Sequence, residues 1–167
     1  MSALNKTVSQ AFIALGSNLE NPAHQVRQAI NELTRLPATR LLVYSSLYCS
    51  APIGRLDQPD FINAVAQIET RLTPQELLIA LLEIEQRYGR IRESLNAPRI
   101  LDLDILIYDD LQCREDNLTL PHPRMCQRAF VLQPLWEISP DCYIPGHGVI
   151  TKLLDACSEQ RLQRIQD

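Results

Sequence analysis

Residues 99–108, RILDLDILIY, constrain this chain more than any other stretch. Apolar and β-branched residues dominate, and no Gly or Pro follows Pro98, so the stretch reads as a strand. Period-two alternation sends Leu101, Leu103, Ile105 and Ile107 to one face. Asp102 and Asp104 then share the other face, with Cα atoms roughly 6.5–7 Å apart by strand rise. Two carboxylates on one face of a buried strand repel each other and lose hydration, so a positive partner is required. Mg²⁺ is one solution, because it binds through one or two carboxylates plus substrate phosphates. Ion pairs with nearby arginines are the other, and this stretch alone does not choose between them.

Composition narrows the classes. With 167 residues, 46% hydrophobic and 22% charged, the chain is expected to form one soluble domain spanning 1–167, with a real core. A net charge of −4 argues against non-specific nucleic-acid binding, so any phosphate site must be a local basic cluster. No apolar run approaches the ~20 residues of a membrane span, and residues 1–6 lack the apolar core of a secretory signal. The five cysteines are scattered without a Cys-x-x-Cys pair, which fits reduced thiols in a cytoplasmic protein rather than zinc or a disulfide framework.

In chain order, residues 7–15 read as a buried first strand, broken by Gly16-Ser17-Asn18. Asn21 and Pro22 begin a helix whose face is Val26, Ala29, Ile30 and Leu33, and Pro37 stops it. Residues 41–48 read as a second strand, 49–60 as a loop and 61–69 as a third strand. Thr73-Pro74-Gln75-Glu76 is a capping box that opens a helix to about Tyr88, with Gly89 as its stop. Its apolar side is Leu77, Leu78, Leu81 and Ile84. Glu85 follows Leu81 by four residues, which makes it either a solvated rim glutamate or an acid aimed into a polar pocket. Residues 111–113 suggest a short return strand. Residues 127–138 look helical, kinked or divided by Pro134, and 149–165 look like a last helix. The order strand, helix, strand, strand, helix, strand is the ferredoxin-like split βαβ pattern. It predicts an α+β fold with an antiparallel sheet and two helices on one face.

Arg90, Arg92 and Arg99 flank the aspartate strand, and guanidinium forks bind phosphate oxygens bidentately. His122 is held between two prolines with Arg128 six residues on, a fair phosphate contact. Phe61 and Asn63 share a strand face, offering a ring to stack on and an amide to read a heterocycle edge. Each feature alone has a plainer explanation: a solvated basic loop, a structural histidine, ordinary core. No Gly-rich phosphate loop is present, so nucleotide binding would rest on metal and arginines. An exposed Asp–Arg pair contributes only about 0–1 kcal/mol, a weak reason to set two acids on one face of a central strand.

Residues 96–106 (NAPRILDLDIL) closely resemble the signature of the 6-hydroxymethyl-7,8-dihydropterin pyrophosphokinase family of folate biosynthesis. Residues 14–19 (ALGSNL), 57–64 (DQPDFINA) and 120–124 (LPHPR) resemble further motifs of the same family, in the same order. The resemblance implies transfer of pyrophosphate from ATP to the hydroxymethyl oxygen of the dihydropterin, giving AMP. It implies that Asp102 and Asp104 hold two Mg²⁺ ions, and that Arg90 and Arg99 assist transfer from a mobile loop. Ser50, Ala51, Ile53, Phe61, Asn63 and Phe130 would line the pterin pocket. Arg92, Ile105, Thr119, His122 and Arg128 would contact ATP, and Glu85 would belong to the acidic network behind the metals. The implied partners are these small molecules, with no nucleic acid or membrane, and the chain is expected to be a monomer. Leu95 stands where the family usually carries a basic residue, and Asn117 where some members have arginine. Two competing classes follow from the bare residues. One is a non-catalytic nucleotide- or metabolite-binding module on the same scaffold; the other is a Mg²⁺-dependent phosphotransferase for a different flat heterocycle.

Overall fold

The computed structural model describes residues 7–52, 57–89 and 100–165. In chain order its elements are β1 (Ser9–Ser17), α1 (Pro22–Leu33), β2 (Thr39–Tyr44), β3 (Leu47–Ser50), β4 (Phe61–Thr70), α2 (Pro74–Arg87), β5 (Asp102–Tyr108), β6 (Cys113–Arg114), β7 (Thr119–Leu120), α3 (Ala129–Ile138), β8 (Tyr143–Ile144), β9 (Gly148–Val149), α4 (Ile150–Asp155) and β10 (Leu162–Ile165). The main sheet runs β10-β3-β4-β1-β5, with β2 also paired to β4. Every pairing in it is antiparallel. Taking β2 and β3 as one lane, the order is that of the split βαβ pattern, so the α+β expectation holds.

Local chemistry explains the two helices on the first face. Pro22 pre-sets the first turn of α1, although Asn21 sits in the left-handed region (φ 61°) and makes no side-chain cap. The face Val26, Ala29, Ile30 and Leu33 is buried, as its spacing predicts. In α2 the capping box is complete: Thr73 accepts from the Glu76 amide, and the Glu76 carboxylate accepts from the Thr73 amide. Gly89 follows with φ +77°, which suits a helix end that needs a residue without Cβ. Both helices pack on Ile13, Leu15, Ala64, Ala66, Ile68, Leu103 and Ile105 of the sheet. Arg87 ties α2 to Glu32 of α1 at 2.7 Å.

The opposite face carries a second core, built from Phe12, Val65, Leu106 and Ile107 against Met125, Val131, Leu132 and Leu135. Here α3 remains one helix although Pro134 lies inside it. Proline in a helix interior costs about 3 kcal/mol, yet Pro134 is buried beside Val131, Leu132 and Leu135, and packing outweighs the lost hydrogen bond. Glu137 fastens α3 to the sheet. Its carboxylate accepts from the Ser46 amide (2.9 Å), the Ser46 hydroxyl (3.1 Å) and the Tyr48 hydroxyl (2.5 Å). Burial and the neighbouring Glu137 push the Tyr48 phenol well above its ordinary pKa.

Several elements depart from the sequence expectation. β1 continues through Gly16, where both neighbours still pair with it, to Ser17, which pairs with Ile62 of β4. The expected strand at 41–48 is two strands, β2 and β3, separated at Ser45 and Ser46. Four residues there span three on β4 (Tyr44↔Ala66, Tyr48↔Asn63), so the lane bulges. Leu106 is an extra residue in β5: Phe12 pairs with Ile107 and Ile13 with Ile105. Alternation therefore reverses, and Ile107 joins the second core instead of sharing the face of Leu103. The segment after Tyr108 forms β6, which pairs with β7 rather than returning along β5. The expected helix at 149–165 stops at Asp155, and β10 pairs along β3 as an outer strand.

Candidate active site

The second face of the sheet is not fully covered, and the gap is the site. Two rows of register partners cross it. Asn63 of β4, Gly16 of β1 and Asp102 of β5 form one; Val65, Ala14 and Asp104 form the next. Strands lie about 4.8 Å apart, so Asn63 and Asp102 stand roughly 10 Å apart across Gly16. Gly16 and Ala14 are the smallest side chains available, and they leave a trough between an amide and two carboxylates. A Cβ on Gly16 would meet Asn63 Oδ1 at 3.3 Å, so the floor is already at contact distance. Glycine inside a strand often marks the close approach of a ligand.

His122, Arg128, Phe130 and Val131 form the facing wall of the cleft. On the far side of the trough, Asn63 Nδ2 donates to Ser50 Oγ at 2.7 Å, and both residues are buried. This bond fixes the amide so that Oδ1 lies toward Gly16 and presents an acceptor to the cleft.

His122 is anchored through its backbone amide to the Leu106 carbonyl (2.8 Å), at the bulge of β5. Its Nδ1 accepts from the Arg124 amide at 3.2 Å, which leaves the proton of a neutral ring on Nε2. Burial, then the Arg128 charge, pull its pKa down to about 4, with Arg124 adding to the effect and Asp102 opposing it. At neutral pH it is a neutral N–H donor, not a cation. The Arg128 guanidinium lies 5.5 Å from the centroid of the Phe130 ring, a cation–π arrangement that puts positive charge on the wall opposite the aspartates.

Glu85 is buried, 1% exposed, so the solvated-rim alternative fails. Its Oε2 accepts from the Leu103 amide at 2.7 Å. Leu103 lies between the two aspartates, so this bond holds the outer edge of β5 where its acids face the cleft.

The cleft thus gathers Asn63, Asp102, Asp104, His122, Arg128 and Phe130. Ser50 stands behind Asn63 as its partner. Phe61 shares the Asn63 strand face one pair further along, opposite Ser50, and Ala51 is exposed beyond it; neither lines the cleft. Thr119 pairs with Arg114 in the β6–β7 ladder, also outside it. The Ile105 side chain is buried on the helix face, so only its backbone can meet a ligand. Ile53, Arg90, Arg92 and Arg99 lie outside the described residues. Sequence reasoning missed Gly16 and Ala14 as the floor, although glycine at the end of an apolar strand was a usable signal. It also missed the pin formed by Asn18, whose Nδ2 donates to Gln58 Oε1 (2.7 Å) and the Pro59 carbonyl (3.2 Å).

Asp102 and Asp104 can hold a hard cation. Among the described residues no group of three His, Cys, Asp or Glu side chains is placed to bind a metal. A pair of carboxylates suits Mg²⁺, which takes its other ligands from water and phosphate, better than it suits a closed zinc site built on thiolates and imidazoles. No described helix is long and apolar enough to cross a membrane.

Residues 12–140 match the model of the 7,8-dihydro-6-hydroxymethylpterin-pyrophosphokinase family. A 2-amino-4-hydroxy-6-hydroxymethyldihydropteridine pyrophosphokinase of Pseudomonas aeruginosa is 42% identical over 158 residues, covering 95% of this chain and 98% of that protein. The enzyme of the same name from Haemophilus influenzae is 43% identical, covering 93% of this chain and 97% of its own. A solved structure of wild-type Plasmodium falciparum HPPK-DHPS with pterin and p-hydroxybenzoate has the same fold, at TM-score 0.75 and 14% identity; it covers 96% of this chain, which spans 46% of that one.

Proposed function

The chain belongs to the 7,8-dihydro-6-hydroxymethylpterin-pyrophosphokinase family, and from that premise we propose that it transfers pyrophosphate from ATP to 6-hydroxymethyl-7,8-dihydropterin. The hydroxymethyl oxygen attacks the β-phosphorus of ATP. The bond from that phosphorus to the oxygen shared with the α-phosphorus breaks, AMP departs with that oxygen, and the hydroxyl proton is released. The observation that carries the reading is the row Asn63–Gly16–Asp102, with Asp104 beside it and Phe130, Arg128 and His122 opposite. One end of that trough suits a flat heterocycle and the other a charged polyphosphate.

At the heterocycle end, Asn63 Oδ1 accepts an N–H from the ring edge, Gly16 lets the ring lie close to the sheet, and Phe130 stacks on it. The family resemblance adds Phe61, Ser50, Ala51 and Ile53 to the set that binds the pterin. At the phosphate end, Asp102 and Asp104 would hold Mg²⁺, two ions in this reading. Bound there, Mg²⁺ would supply neutralising charge to the phosphates and a lower pKa to the attacking hydroxyl. Arg128 contributes fixed positive charge, and neutral His122 donates an N–H without repelling it. Glu85 contributes to ATP binding through its hold on the Leu103 amide and Ile105 through its backbone, and the family resemblance adds Thr119. Arg90, Arg92 and Arg99 supply the remaining cations. Phosphoryl-type transfer asks the protein mainly for placement, and orientation alone supplies roughly 7–11 kcal/mol of a barrier.

Incubation with ATP, Mg²⁺ and the dihydropterin should yield AMP and the pterin diphosphate in equal amounts, and a chelator should abolish both. ATP consumption that gives ADP, or turnover unaffected by chelator, would overturn this reading.

A further inference from the structure

We infer that Gln160, in the turn before β10, is a positioning residue for Arg128. This rests on the reading of Arg128 as a cation that contacts ATP. Gln160 Oε1 accepts from the Ala129 amide at 2.9 Å, and its Nε2 donates to the Gln127 carbonyl at 2.7 Å. One side-chain amide therefore bonds to both neighbours of residue 128, as a paired strand would. Arg128 itself is extended (φ −124°, ψ 108°) and makes no side-chain cap for α3. Ala129 opens α3, and its amide has no carbonyl four residues back within the helix to bond. The same turn adds a third contact, from Cys157 Sγ to the Cys126 carbonyl at 3.7 Å. The carbonyls of 126 and 127 and the amide of 129 are thus all held from one turn.

Held in this way, residue 128 sends its side chain into the cleft and over the Phe130 ring. The Arg128 amide donates to the Met125 carbonyl (3.2 Å) and its carbonyl accepts from the Val131 and Leu132 amides (both 3.0 Å), so local bonds hold one polar group of each flanking peptide and Gln160 holds the other. The clamp comes from beyond residue 140, where the family match ends. The C-terminal turn therefore braces the backbone beside Arg128 from outside the family's matched region.

The test is a binding cycle. Calorimetry measures ATP binding with Mg²⁺ to the wild type, Gln160→Ala, Gln160→Met, Arg128→Ala and the double variant Gln160→Ala/Arg128→Ala. Gln160→Met keeps the bulk while losing both hydrogen bonds, and thermal melting confirms that each variant is folded at the assay temperature. Loss of the clamp should weaken ATP binding about fivefold in both Gln160 variants. It should leave kcat within about twofold, and add nothing once Arg128 is gone. An equal weakening in the Arg128→Ala background would make Gln160 merely structural and overturn the inference, as would wild-type affinity in both Gln160 variants. If Arg128→Ala itself binds ATP normally, the reading of Arg128 fails, and the clamp then has no cation to aim.

Discussion

Replacing Gly16 with alanine separates the backbone's needs from the ligand's. The Gly16 backbone is ordinary extended strand, paired on both sides, so alanine is sterically allowed there. On backbone grounds alone the change should stabilise the protein by about 0.5–1 kcal/mol, because glycine loses more conformational freedom on folding. Against that, the new methyl would sit 3.3 Å from Asn63 Oδ1 and 3.9 Å from the Ile62 carbonyl oxygen. Asn63 must then give by a few tenths of an ångström, straining its 2.7 Å bond to Ser50. The two effects nearly cancel in the free protein, and unfolding free energy should stay within about 1 kcal/mol of wild type. In the complex they do not cancel. A ring lying on Gly16 loses its floor contact, and the displaced Asn63 oxygen no longer meets the ring edge. Overpacking plus one impaired hydrogen bond amounts to about 2 kcal/mol, or about 30-fold in pterin affinity. Denaturant unfolding and equilibrium pterin titration, run on the same preparation, supply both numbers. Wild-type pterin affinity in Gly16→Ala would refute the reasoning that the trough floor receives the ring.

Two further outcomes follow from the wall and the loop. In the metal-free protein, His122 should titrate near pH 4 by NMR rather than near 6.5. The unfolded chain then binds more protons than the folded one between those values, so this residue's contribution to stability is complete above about pH 6.5 and is lost as pH falls toward 4; a titration at pH 6–7 would contradict its neutral role. Asn18→Ala removes two hydrogen bonds at a site 1% exposed, which should cost about 1–3 kcal/mol of stability. It should also speed amide exchange at residues 57–60, and unchanged exchange there would show that Asn18 does not hold the loop.

What could be read from the sequence is what depends on near neighbours. The face of α1, the Thr73–Glu76 box and the span of β4 are encoded within a few residues of themselves, and the structure repeats them. The same-face arithmetic that paired Asp102 with Asp104 and Phe61 with Asn63 also survives, because the bulge in β5 comes only at Leu106. What could not be read depends on distant partners. The break at Ser45–Ser46 is satisfied by Val65 and Glu137. The continuity of α3 through Pro134 rests on burial against the sheet. β10 takes its form from β3, a strand more than 100 residues earlier. In the cleft, the meeting of Asn63, Asp102, Asp104, His122, Arg128 and Phe130 was legible, while its floor of Gly16 and Ala14 and the states of its groups were not. The charge of His122 depends on Arg128 and on burial, and the burial of Glu85 on the Leu103 amide.

The central claim is that Asp102 and Asp104 hold the divalent ion that carries the phosphates of ATP. Calorimetric ATP binding with and without Mg²⁺, in the wild type and in the Asp102→Asn/Asp104→Asn variant, tests it most directly. Mg²⁺ should tighten ATP binding to the wild type by at least about tenfold, and that gain should vanish in the variant. A variant that keeps the full Mg²⁺-dependent gain would contradict the account.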